Sequence, residues 1–387
     1  MKRKNKTAFL SVFISAALLF YPAAAEENGT AEGFCIDRQE LYESLGLSDK
    51  ELYDSIDPET ENILEENGIT LTDPGSMTEI SPIEVIKYIG RKFIDGLGEP
   101  MRLLGIMTAA AALSAAVSAV SDTAENKKMT SVYETISVLI IVSAVSAPIS
   151  NCLSEITAAI RGGGNFMFGY IPVFAGIAAS SGTVTGAAVY DIAVEAAAEC
   201  AVQISARLMM PLLSVCMAAG ITDGINPRFS LSAFTSFIGK TVSFVMVTAV
   251  TIFTGMLSLQ STVGTSADTI GAKAAKLAVA NFVPVIGGAL SDTYAAVRSG
   301  LTMLKSAAGF FGIAAIALTV LPPMVSSVSL YISLNIGSAA AEILAQDKTA
   351  KFLKNSASVV GTAMSILVCF AALLIISTAM LMSQNIT

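Results

Sequence analysis

From residue 103 onward, long apolar runs follow one another with only short polar breaks: 103–120, 132–150, 166–190, 202–222, 237–259, 308–336 and 358–382. A helix needs about 20 apolar residues to cross the hydrocarbon core of a bilayer. Each run reaches that length or nearly so, and a mean hydropathy of +0.66 agrees. The pattern predicts an all-α, polytopic membrane protein with about 7–8 membrane segments. The eighth and weakest, 281–300, carries Asp292 and Arg298 and also suits a re-entrant or interfacial helix.

The start of the chain has a different character. Lys2, Arg3, Lys4 and Lys6 precede an apolar stretch from Ala8 to Phe20 and the small residues Ala23-Ala24-Ala25. This is the layout of a secretory signal peptide over 1–25, cleaved after Ala25, with an uncleaved signal anchor as the alternative. Either way residues 26–99 are expected on the far side of the membrane. They carry 19 acidic against 5 basic side chains, a net of −14, so the acidity behind the whole chain's −8 belongs to this exported segment. Its acidity argues against nucleic acid as a partner, because phosphates repel it.

Within 26–99, short helices are expected. Ser48-Asp49-Lys50-Glu51 forms a capping box, and Asp57-Pro58 and Ser81-Pro82 each place a cap ahead of an N1 proline. Ile83, Ile86, Ile89, Phe93 and Leu97 recur at three or four residues among Lys87, Arg91 and Lys92. That pattern predicts an interfacial helix over 82–97 that feeds the membrane domain, 100–387. Lys127, Lys128, Lys273, Lys276, Lys348, Lys351 and Lys354 then fall in inner loops, and Arg161, Arg228, Arg298 and Lys305 in outer ones, a modest positive-inside bias.

Two stretches resemble each other. Asn165-Phe166 precedes Ile171-Pro172-Val173 and Gly176, and Asn281-Phe282 precedes Val283-Pro284-Val285 and Gly288. Pro172 and Pro211 are separated by 39 residues, as are Pro284 and Pro323. The spacing suggests inverted three-segment repeats over 165–260 and 281–382, the architecture of many transport proteins. Coincidence in a low-complexity apolar sequence is the competing explanation.

The candidate functional residues are those that fit lipid worst. Asp191, Glu195 and Glu199 recur every four residues and share a helical face. With Asp292 they are candidate pore residues, because ionisable groups at membrane depth commonly mark a path; a polar helix at the inner surface is the plainer reading. Pro172, Pro284, Pro211 and Pro323 are candidate hinges, and Pro322-Pro323 predicts a kink or hairpin inside 308–336. Gly162-Gly163-Gly164 reads as a flexible joint.

Enzyme chemistry finds no support. The chain has no His, which removes the common acid–base and zinc arrangements. Its five Cys show no CxxC spacing, so neither a metal site nor a disulfide framework is implied, and no cofactor is expected.

The stretch Gln260–Asp292, QSTVGTSADTIGAKAAKLAVANFVPVIGGALSD, carries a resemblance. With Ile171-Pro172, Ala179-Ser180-Ser181-Gly182 and Met210-Pro211-Leu212-Leu213, it resembles the signature region of the stage III sporulation protein AE family of endospore-forming bacteria. The resemblance covers roughly residues 80–382. It implies a multi-pass protein of the mother-cell membrane around the forespore, its N-terminal segment extracytoplasmic. The implied role is membrane subunit of a channel or secretion-like complex joining the two cells. The implied partners are the other subunits of that complex, a forespore-side protein and the lipid bilayer. The family offers no catalytic residues to carry over. A stand-alone secondary transporter and a passive membrane scaffold are the alternatives.

Overall fold

The computed structural model describes residues 90, 91, 94, 96–122, 127–225, 232–282 and 287–383, with only the backbone course at 120–122, 127–131, 133, 223–225, 232, 260–282 and 287–298. The signal segment, nearly all of 26–99 with its interfacial helix, and Pro284 lie outside the described residues. The described elements are α1 (Gly98–Asp122), α2 (Lys127–Ser180), α3 (Val184–Val202), a π-helix (Gln203–Met209), α4 (Met210–Ile225), α5 (Ser232–Phe282), α6 (Gly287–Ile343) and α7 (Asp347–Ser383). Six helical stretches among them are long and apolar enough to cross a membrane.

The described helices continue at several places where breaks were expected. The runs 132–150 and 166–180 belong to the single 54-residue helix α2, about 80 Å long. Pro148 and Pro172 lie inside it, and Pro322 and Pro323 lie inside the 57-residue α6, so neither a broken helix at Pro172 nor a hairpin at Pro322-Pro323 forms. In lipid every backbone group needs a partner within the protein, which favours carrying a helix through a proline over opening it. In the following turn Ser326 donates to the Pro322 carbonyl at 3.2 Å, and Ser327 donates to that of Pro323.

The glycine triplet is likewise helical and serves close packing, not flexibility. A Cβ on Gly163 would sit 3.1 Å from the Phe370 ring, and one on Gly164 would sit 2.5 Å from a methyl of Val202. The expected duplication is not reproduced in the helix pattern. The first stretch turns at Ser181–Thr183, whereas α6 runs unbroken from Gly287 to Ile343 in the second.

Two turns share one hydrogen-bond pattern. At the end of α2, Thr183 N–H donates to Ala178 O and Gly182 N–H to Ala179 O, with Gly182 at φ 100°. At the end of α6, Gln346 N–H donates to Ala341 O and Ala345 N–H to Glu342 O, with Ala345 at φ 56°. Both are Schellman caps, in which a left-handed residue lets the chain reverse while satisfying the last carbonyls. The apolar run 166–190 is therefore two helices, not one span.

Helix α7 lies at the centre, packing on α2, α3, α4, α5 and α6. Half of its most apolar window is buried, against 17% for α5 and 28% for α1 at the rim. The starts of α2 and α7 meet at one end, where Lys348 pairs with Glu134 at 2.8 Å. Lys127, Lys128, Lys351 and Lys354 belong to the same two helix starts. Arg161 and Lys305, expected in outer loops, instead lie inside α2 and α6, and Lys305 is 1% exposed.

Candidate functional site

The helix α3 carries Asp191, Glu195 and Glu199 on one face as the four-residue spacing requires, but the three meet different surroundings. Asp191 is half-buried, and its Oδ1 has no hydrogen-bond partner among the described residues. Glu195 is exposed, and Glu199 accepts a hydrogen bond from the Gln203 side chain one turn later. Asp191 follows Tyr190, which ends an aromatic ladder. Phe166, Tyr170 and Phe174 stack at 5.3 Å intervals along α2, and Tyr190 meets Phe174 edge-on at 5.8 Å. The Tyr170 hydroxyl donates to the Ala308 carbonyl of α6 at 2.9 Å. The ladder thus fastens α2 to α3 and α6, and Asp191 sits at its edge.

The proline candidates divide. Pro172 is exposed and Pro323 buried, each within an unbroken helix. Pro211 is the second residue of α4 and follows the π-helix directly. A proline ring clashes with the carbonyl four residues back, here that of Arg207, and it supplies no N–H. The wider i→i+5 turn over Gln203–Met209 makes room for it, and π-turns recur at functional sites. Pro211 is therefore the one hinge candidate at which the described helix changes its geometry. Asp292 lies in the second turn of α6, where only the backbone is described.

The structure also gathers Glu155, read from the sequence only as one of several acidic groups close to the spans, into a larger polar surface. Asn151, Ser154, Glu155, Ala158, Arg161 and Asn165 are all exposed on one face of α2, inside the apolar span Glu134–Ser180. Glu155 lies beside Ser326 of α6 and within electrostatic reach of Glu99 at the start of α1. The three-to-four-residue spacing was readable, but taking 150–165 as a loop between two spans hid it. Among the described residues no group of His, Cys, Asp and Glu could hold a metal ion.

A long apolar helical bundle is common to many membrane proteins, so the family rests on comparison with known sequences. The model of the family described as stage III sporulation protein AE matches residues 73–385, most of the chain. The chain belongs to the stage III sporulation protein AE family. A relative so named from Bacillus subtilis (strain 168) is 24% identical over 174 residues, which span 45% of this chain and 44% of that relative. The alignment thus covers less than half of the relative's length. No solved structure matches. The family is described as one of stage III sporulation proteins, and the described helices of this chain are long and apolar enough to cross a membrane.

Proposed function

We propose that this chain is a membrane subunit of the channel or secretion-like complex that joins mother cell and forespore during sporulation. The family match over 73–385 carries the reading, and six apolar helices supply the membrane body it needs. On this reading the protein sits in the mother-cell membrane around the forespore. A signal peptide delivers the acidic segment 26–99 to the space between the two membranes, where the other subunits and the forespore-side protein meet it. The Oδ1 of Asp191, which has no hydrogen-bond partner among the described residues, supports giving that residue of α3 a part in transport.

The test is isolation of affinity-tagged full-length protein from sporulating cells of its own host. Other membrane and intermembrane sporulation proteins are expected to co-isolate, and deletion of the chain is expected to block spore formation after engulfment. Recovery of the chain alone under conditions that preserve other membrane complexes, with spore yield unchanged on deletion, would end this reading.

A further inference from the structure

Buried polar atoms normally have hydrogen-bond partners, so those without one call for a reason. Two lie side by side on α3: the Tyr190 hydroxyl and Asp191 Oδ1, both buried and unpartnered among the described residues. Tyr190 is only 3% exposed. Its hydroxyl lies beside Ser377 and Thr378 of α7 and within electrostatic reach of Asp191, yet it closes no hydrogen bond with either hydroxyl. Ser377 and Thr378 are fully buried, and both donate to the Leu374 carbonyl, at 2.7 and 3.0 Å.

This bonding back to α7 commits both protons and leaves the oxygens with free lone pairs. The point where α3 meets α7 therefore offers hydroxyl oxygens without a spare donor from α7, and a carboxylate beside them. An anion has little to bind here. A water molecule would satisfy the hydroxyl oxygens but leave the charge of Asp191 uncompensated, and a buried charge calls for a partner of opposite sign. Among the described residues Asp191 makes no ion pair. We infer that Tyr190, Asp191, Ser377 and Thr378 form a binding site for a monovalent metal cation. Hard cations take oxygen ligands, and a single carboxylate balances a single positive charge, whereas calcium sites gather several carboxylates.

The fold holds these groups in place. Tyr190 meets Phe174 of α2 edge-on at 5.8 Å, which steadies its ring. The bonds to Leu374 O fix the Ser377 and Thr378 side chains. Asp191 is half-buried at the edge of the set, so an ion has an approach from outside the bundle. The site goes beyond the channel-subunit reading and needs no other protein.

The experiment follows thermal unfolding of the purified full-length protein in detergent, in sodium, potassium or choline chloride at equal ionic strength. Sodium or potassium is expected to raise Tm by at least about 2 °C over choline, and equilibrium dialysis to show a single saturable site for that ion. Tyr190→Phe keeps the aromatic ring and Thr378→Val keeps the shape of α7. Each of them, like Asp191→Asn, is expected to weaken ion binding at least about tenfold. Glu195→Gln, at the exposed neighbour on the same face of α3, is expected to leave binding unchanged. The Tm of each variant in choline shows whether it folds, so a lost ion response is not mistaken for a lost fold.

Equal Tm in all three salts with no ion retained would overturn the inference; a proton or water would then serve Asp191. An ion response that survives both Asp191→Asn and Tyr190→Phe would also overturn it, as would one lost equally in Glu195→Gln, the mark of general surface binding. None of these outcomes depends on co-isolation or on spore yield after deletion, so the channel-subunit reading is tested separately.

Discussion

Gly312→Ala tests the packing that fastens α2 to α6. A Cβ at Gly312 would lie 2.5 Å from the Tyr170 hydroxyl oxygen and 2.8 Å from the ring edge. The ring has little freedom to move aside, because Tyr170 is fully buried and stacked between Phe166 and Phe174. Overpacking of this kind costs about 1–3 kcal/mol. Displacing the ring also strains the hydroxyl's bond to Ala308 O, a contact class worth about 0.6 kcal/mol inside membrane proteins. The expected loss is therefore about 2–4 kcal/mol, read by equilibrium unfolding in mixed detergent micelles. Tyr170→Ala alone should cost about 3–5 kcal/mol through the cavity it leaves. In the double variant the new methyl enters that cavity, so the cost should fall short of the sum by about 1–3 kcal/mol. Additive costs would show that the ring does not rest on Gly312, and the assignment of this interface would be wrong.

Other consequences follow from single positions. Ala345→Gly should stabilise the protein by about 1 kcal/mol in the same unfolding assay, because Ala345 holds a left-handed conformation that glycine adopts freely. Gly182→Ala should destabilise it by about 1–2 kcal/mol for the same reason. Lys348→Gln should change stability by less than about 1 kcal/mol, since its pair with Glu134 is partly exposed; a larger loss would mean that end of the bundle is drier than its exposure indicates. Asp191→Asn should leave the protein level unchanged while lowering spore yield at least about tenfold, as expected of an ionisable group on a transport path. Normal yield would remove Asp191 from that role.

The candidate site was legible in part. The four-residue spacing of Asp191, Glu195 and Glu199 set their common face, because helical geometry alone decides that. That Asp191 has an oxygen unpartnered among the described residues while Glu195 is exposed depended on the aromatic ladder beside Tyr190, and no local pattern encodes a contact between separate helices. Pro211 was readable as an irregularity, but its form as a π-turn was not. The polar face of α2 escaped notice because Arg161 and the glycines beside it look like a loop in one dimension. They are helical because Phe370 and Val202, some 200 and 40 residues distant, pack against them.

By itself the sequence determined the solvent: runs of about 20 apolar residues leave lipid as the medium and helix as the backbone state, since both follow from local composition. Tertiary structure alone decided how many helices those runs become, through prolines and glycines that neighbouring helices hold in place. It likewise decided the turn at Ala345, which carries no glycine, and which helix stands at the centre and which at the rim. The physical reason is range: transfer to lipid is summed residue by residue along the chain, whereas packing is settled between surfaces that meet only after the chain has folded.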